Sequence, residues 1–86
     1  MDEQEDVPLR VFVLGAIAAA CGIERAAIDE RTSLWDLTID SLTLVSVLTQ
    51  IEARYGADLS AEEIAAALTA TDVGELILAV ERAIAR

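Results

Sequence analysis

Hydrophobic residues recur at helical spacing in several stretches of the chain, and no stretch alternates with the period of a β-strand. The first stretch follows Pro8, a residue suited to the first turn of a helix, and ends at Gly22, a natural helix stop. It therefore predicts a helix over residues 8–21. Its inward-facing positions are predicted to be Leu9, Val13, Ile17, Ala20 and Cys21.

A second amphipathic stretch begins in the middle of the chain. Asp40 is a good N-cap, which places Ser41 at the first helical position, and Gly56 ends the pattern. A helix over residues 41–55 is predicted. Its inward-facing positions are predicted to be Leu44, Val45, Leu48, Ile51 and Tyr55.

The last third of the chain contains two helix-start signals. Ser60 with Glu63 is the pattern of a capping box and predicts a short third helix, and Asp72 with Glu75 is a candidate second box. An apolar stripe of Val73, Leu76, Ile77, Val80 and Ile84 then runs to the C-terminus. The expected fold is all-α: a small four-helix bundle of three longer helices and a short third one, with a long first loop.

Residues 23–40 show no sustained period and form an unusually long loop for a compact domain, which itself suggests a function. Ile28, Leu34 and Leu37 are expected to hold this loop against the core. Trp35 is either buried or exposed beside Ser41, and the sequence alone does not decide between the two. The acidic residues 1–7 are expected to form a disordered tail, and residues 8–86 one domain.

Charge and composition exclude several classes of function. The net charge is −10, and the six basic residues are all arginines without a cluster, which argues against binding to nucleic acids or anionic membranes and favours a basic partner protein. The absence of His and Lys, with only one cysteine, excludes His-dependent triads, Cys/His zinc sites and Schiff-base chemistry. Cys21 is expected to be a buried small hydrophobic residue. With no signal peptide or apolar run of membrane-spanning length, a cytoplasmic protein is expected. We also expect a monomer.

The Asp40–Ser41 pair has two interpretations: a simple helix start, or an attachment point. The surrounding pattern is Leu34-x-x-Leu37-x-x-Asp40-Ser41-Leu42-x-x-Val45, between a long loop and an amphipathic helix. It resembles the carrier-protein family, which includes acyl carrier proteins and peptidyl carrier domains. The resemblance covers about residues 8–85, and the family pattern is Leu-Gly-x-Asp-Ser-Leu.

The resemblance implies that Ser41 carries a covalent 4′-phosphopantetheine arm, with Asp40 and Leu42 beside it. A phosphopantetheinyl transferase would load the serine from coenzyme A with Mg²⁺, Asp40 assisting in placement of the metal and the serine. Loading enzymes, acyltransferases and ketosynthase- or condensation-type enzymes would then use the arm, whose thiol holds an acyl, aminoacyl or peptidyl group as a thioester. The chain would itself have no catalytic residues.

Physical chemistry supports this role for Ser41, because a helix N-terminus offers free N–H groups and a positive dipole end to a phosphodiester. The chain has no His or Lys to activate Ser41 as a nucleophile of its own, so a small hydrolase built on Asp40 and Ser41 is a distant candidate. The main alternative is a non-enzymatic adaptor bundle in which Ser41 only starts a helix.

Two departures from the family pattern bear on partner choice. Thr38 replaces the family glycine, so either the loop takes a different path or the position needs no unusual backbone; we expect Thr38 to alter transferase or partner choice. Residues 42–54 contain one acid, Glu52, with Arg54 nearby. This face is either ordinary solvated surface or an apolar docking face. The predicted docking residues are Thr38, Ile39, Leu42, Thr43, Ser46 and Val47. A stand-alone carrier for polyketide, nonribosomal-peptide or related secondary-metabolite synthesis is expected.

Overall fold

The computed structural model describes residues 8–85, so the predicted acidic tail at residues 1–7 lies outside the described part of the chain. The described residues form four α-helices and no strand, with one short 3₁₀ turn at Arg25–Ala27 in the first loop. The helices are α1 (Leu9–Cys21), α2 (Ser41–Tyr55), α3 (Ala61–Leu68) and α4 (Val73–Ile84). The all-α prediction, with a short third helix after a long first loop, is confirmed.

Helix α1 starts one residue later than predicted. Pro8 has an extended conformation (φ −61°, ψ 150°) and is the N-cap, and its carbonyl accepts the N–H of Phe12 at 3.1 Å. The predicted stop at Gly22 is confirmed: this residue adopts the left-handed conformation at φ 71°. The N–H of Ile23 then donates to the carbonyl of Ala18 at 3.0 Å, which satisfies one of the carbonyls left free at the helix end.

The start signals of α3 and α4 differ in how completely they form. In α3 the Glu63 N–H donates to Ser60 Oγ at 3.1 Å, and the Ser60 N–H donates to Glu63 Oε1 at 2.8 Å, so this capping box is complete. In α4 Asp72 caps the Glu75 N–H at 2.8 Å, but the Glu75 carboxylate accepts the N–H of Thr71 instead of returning to Asp72. The second predicted box is therefore only half formed.

The core is built mainly from one face each of α1, α2 and α4. Its most deeply buried side chains are Val13, Ile17, Val47, Leu48, Ile51, Val73, Leu76 and Val80. Each such side chain contributes about 1.5–3 kcal/mol to stability through its removal from water. Helix α3 completes the bundle by lying against α4 and α2.

Two inward positions were predicted incorrectly. Ala20 of α1 is exposed, and Val45 of α2 is 38% exposed. The buried positions of α2 are Leu44, Val47, Leu48 and Ile51, which follow the i, i+3, i+4, i+7 spacing of a single helix face. Val45 lies beside that face, because consecutive residues of a helix are separated by about 100°.

The first loop is fastened to the beginning of α4. Ile28 and Leu34 are buried, and Leu37 is partly buried against the core, as predicted. Three backbone hydrogen bonds join the loop to the other segment: Leu34 N–H to Thr71 O (3.0 Å), Val73 N–H to Thr32 O (3.1 Å) and Gly74 N–H to Glu30 O (2.7 Å). The loop therefore enters α2 from a fixed position, although it has little regular structure.

Candidate functional site

Ser41 is the first residue of α2, and its side chain is exposed. The preceding residue, Asp40, has an extended backbone (φ −94°, ψ 174°), so the chain turns into the helix between these two residues. Asp40 Oδ1 accepts the N–H of Thr43 at 2.8 Å, the standard N-cap hydrogen bond. The predicted arrangement of an N-cap aspartate followed by a serine at the first helical position is confirmed.

The Asp40 carboxyl group is held in its ionised form. The backbone N–H of Thr43, followed by its side chain, lowers the pKa of Asp40 below its ordinary value, because both stabilise the carboxylate. Asp40 is fully exposed. A fixed negative charge therefore stands next to the Ser41 hydroxyl at neutral pH.

The first two backbone N–H groups of helix α2 form no hydrogen bond within the helix. The first intrahelical bond runs from the Leu44 N–H to the Asp40 carbonyl at 2.9 Å, and Asp40 caps the Thr43 N–H. The N–H groups of Ser41 and Leu42 therefore precede the ladder. Together with the positive end of the helix dipole, they favour a negatively charged group on or near Ser41.

A cleft with a volume of about 420 Å³ opens beside Ser41. Its wall comes from the end of the first loop, the start of α2 and the end of α3. The lining residues are Leu34, Trp35, Thr38, Ile39, Asp40, Ser41, Leu44, Leu68 and Ala70. Most of these side chains are apolar, so the serine lies where a polar helix end meets an apolar depression.

Thr38, in the wall of this cleft, has a left-handed backbone conformation with φ 51°. The interpretation that this position needs no unusual backbone is wrong, because a β-branched residue here adopts the left-handed conformation. The Thr38 hydroxyl donates to the Leu37 carbonyl at 2.6 Å, and the Thr38 N–H donates to the Trp35 carbonyl at 3.0 Å. These local hydrogen bonds hold a conformation that glycine would adopt without strain.

The predicted docking residues do not form one exposed surface. Leu42 is 83% exposed, and Thr38 and Ser46 are also exposed, whereas Ile39 and Thr43 are half-buried. Val47 has no exposed area and belongs to the core face of α2. The expectation that Val47 is accessible for docking is therefore wrong.

Trp35 is the main residue that the sequence left undecided. Its side chain is 84% exposed and lines the cleft together with Ser41. The available signal was a lone tryptophan in a loop without hydrophobic periodicity. Leu68 and Ala70, which also line the cleft, gave no signal because their place depends on how α3 packs.

The remaining chemistry of the described residues is sparse. Residues 8–85 contain no group of three or more His, Cys, Asp or Glu side chains arranged to hold a metal ion. Cys21 was predicted to be buried, but it is only half-buried. This partial burial raises the pKa of its thiol. None of the helices in this part of the chain has both the length and the apolar character needed to cross a membrane.

A family model described as the phosphopantetheine attachment site matches residues 11–80. The chain therefore belongs to the phosphopantetheine-binding family, in agreement with the resemblance to acyl and peptidyl carrier proteins. Members of this family carry covalently attached 4′-phosphopantetheine, and carrier domains are generally not catalytic. Searches of curated proteins and of solved structures gave no match.

The start of α2 fits this prosthetic group. It offers an exposed hydroxyl on Ser41, the free N–H groups of Ser41 and Leu42 for the negative charge of a phosphodiester, and an adjoining cleft. No structural hydrogen bond of the helix start has to break for the Ser41 hydroxyl to be used, because Asp40 supplies the cap.

Proposed function

We propose that this chain is a carrier protein whose phosphopantetheine arm is attached to Ser41 Oγ. The observation that carries the proposal is the exposed hydroxyl at the first position of α2, next to backbone N–H groups that lie outside the helix ladder. Ser41 lies inside the matched span of residues 11–80.

The other serines of the chain fit this role less well. Ser33 is half-buried, and its hydroxyl accepts the N–H of Trp35 at 3.1 Å. Ser60 caps α3. Ser46 is exposed, but it lies in the second turn of α2, where the backbone N–H groups are engaged within the helix. Ser60 is exposed at a helix N-terminus as well, but its hydroxyl is the cap acceptor of α3, whereas at the start of α2 Asp40 supplies the cap and Ser41 does not.

In the loading reaction Ser41 Oγ would form a bond to the phosphorus that bears the pantetheine group of coenzyme A. The bond from that phosphorus to the adenosine bisphosphate part breaks, and this part leaves. We assign the acceptance of the proton from the Ser41 hydroxyl to a base of the transferase, because this chain has no His or Lys and the carboxylate of Asp40 is assigned to the metal. The ionised Asp40 carboxylate next to Ser41 is suited to position Mg²⁺ and the hydroxyl in that complex.

The attached arm supplies a thiol that holds an acyl, aminoacyl or peptidyl group as a thioester for other enzymes. We infer no catalytic residue in this chain for those later reactions. The partners are a phosphopantetheinyl transferase and enzymes that load or consume the thioester.

We further infer a pathway of secondary metabolism, of the polyketide or nonribosomal-peptide type. The support is the outer face of α2, which bears exposed Leu42, Val45 and Ser46 and has Glu52 as its one acid within residues 42–54. A weakly charged face predicts a shallow dependence of partner affinity on salt concentration. A steep loss of binding as salt is added would contradict this inference.

The test of attachment is intact-protein mass spectrometry after incubation with coenzyme A, Mg²⁺ and a phosphopantetheinyl transferase of broad specificity. We expect the wild-type chain to gain the mass of one phosphopantetheinyl group, and Ser41→Ala to gain none. Ser46→Ala is the matched control, because it removes an exposed hydroxyl from the same helix, and it should load like the wild type.

Two results would contradict attachment at Ser41. One is loading of Ser41→Ala, which would place the arm elsewhere. The other is a wild-type chain that stays unmodified with every transferase tried, including the transferase of its own source, which would favour the adaptor interpretation. Circular dichroism of Ser41→Ala should match the wild type, because Asp40 retains the cap.

A further inference from the structure

Two large apolar side chains stand out from the surface on either side of the Asp40–Ser41 turn. Trp35, at the end of the first loop, is 84% exposed, and Leu42, which directly follows Ser41, is 83% exposed. Among residues 8–85, the next most exposed large hydrophobic residue is Leu78 of α4, at 47%. Such exposure of a tryptophan is unusual, because burial of its ring is worth more than burial of most other side chains.

The backbone that carries Trp35 is fixed by local hydrogen bonds. The Trp35 N–H donates to Ser33 Oγ at 3.1 Å, and the Trp35 carbonyl accepts the Thr38 N–H at 3.0 Å. Ser33 in turn forms an isolated antiparallel bridge with Asp72 at the start of α4. The indole is therefore presented from a held position, and a partner that binds it loses little backbone entropy.

Trp35 also lies close to Ser41, because both residues line the same cleft. The transferase must bring a phosphorus atom to bonding distance of Ser41 Oγ, so it has to cover the surface around the serine.

We propose that Trp35 is a specificity-determining contact for the transferase that loads Ser41, acting together with Leu42. This inference rests on the attachment at Ser41 proposed above. Asp36 and Asp40, which lie between these two residues in the sequence, are exposed, and the whole chain carries a net charge of −10. The complementary transferase surface is an apolar pocket for the indole, bordered by arginine or lysine side chains.

Binding is measured separately from loading by placing each change in the Ser41→Ala background, which cannot be modified. Titration calorimetry with the cognate transferase and coenzyme A should show that Trp35→Ala weakens binding by about 30-fold or more, the effect of removing an interface hot spot. Leu42→Ala should also weaken binding, and Trp35→Phe should restore part of the loss. Leu78→Ala is the matched control for an exposed apolar side chain remote in sequence, and its affinity should equal that of the parent.

Loading kinetics with Ser41 intact give a second measurement. We expect Trp35→Ala to raise KM for this chain and to leave kcat nearly unchanged, because the indole contributes to binding and does not touch the reacting atoms. Fluorotryptophan incorporated at Trp35 gives a single fluorine NMR signal, which should shift and broaden when unlabelled transferase is added.

Equal affinity and KM for the Trp35→Ala and Leu78→Ala proteins, or a fluorine signal of the Trp35 protein that does not shift on addition of transferase, would overturn the proposal and leave Trp35 as part of the cleft wall only. This outcome differs from failure of the proposed function, in which the wild-type chain itself gains no phosphopantetheinyl group. A change of fold is checked by circular dichroism, and none is expected because the Trp35 ring is largely exposed.

Discussion

Replacement of Thr38 by glycine should stabilise the protein. Thr38 has φ 51°, and holding a non-glycine residue in the left-handed region costs about 1–3 kcal/mol, with β-branched residues most affected. Glycine removes that cost, but it also gives the unfolded chain more freedom, which lowers stability by about 0.4–1 kcal/mol. The lost hydroxyl contact to the Leu37 carbonyl is exposed, and water replaces it. The expected net gain in the free energy of unfolding is about 1 kcal/mol.

Urea unfolding followed by far-UV circular dichroism measures this change, and a gain of about 1 kcal/mol corresponds to a rise in Tm of about 4–8 °C for a domain of this size. Ala27→Gly is the matched control. Ala27 is exposed in the 3₁₀ turn and is not among the residues with positive φ, so glycine there brings only the added freedom of the unfolded chain and should destabilise. If Thr38→Gly lost as much stability as Ala27→Gly, the argument that Thr38 is strained would be refuted.

Three further predictions follow from single residues. Gly15→Ala should stabilise the protein by about 0.5–1 kcal/mol, because a Cβ there meets no other atom within 4 Å. Gly74→Ala should destabilise it by about 1 kcal/mol, because its Cβ would lie 3.0 Å from the Glu30 carbonyl oxygen. Changes in Tm of the same sign for the two variants would contradict this pair of predictions. The stability of the wild type relative to Asp40→Asn, which caps without titrating, should be constant near neutral pH and should decrease as the pH falls below 3.8. The reason is that the folded-state pKa of Asp40 is lowered, so the contribution of its ionised cap is lost on protonation. A stability difference independent of pH would show that the lowered pKa is absent. Cys21 should react with a disulfide reagent more slowly than a free thiol at neutral pH, since burial raises its pKa, and a rate equal to that of the urea-unfolded chain would be inconsistent with this.

The sequence was a good guide wherever a local signal sets the structure. The bounds of α2 were predicted correctly because Asp40 caps one end and Gly56 adopts φ 61° at the other. The inward face of α2 was predicted less well, because apolar residues at neighbouring positions leave several orientations open. The packing of α1 and α3 decides that Val47 is buried and that Val45 is not.

The candidate site was predicted only where a local signal in the sequence sets the structure. The position of Ser41 follows from the cap of its own helix. The conformation of Thr38 and the exposure of Trp35 depend on where the first loop is held, and the partners that hold it belong to the distant Thr71–Gly74 segment. No pattern within residues 23–40 encodes those partners.

The bridge between Ser33 and Asp72 has a consequence for the order of folding. These residues are roughly forty positions apart, so the contact closes a long loop and its entropic cost is met late, after local helices have formed. The segment that leads into Ser41 acquires its fixed path only when the start of α4 docks against it. A nascent chain that still lacks α4 would already hold the serine and its cap, but not the surrounding surface. We therefore expect attachment of the proposed arm at Ser41 to require the whole domain, and a chain that lacks α4 to be loaded poorly.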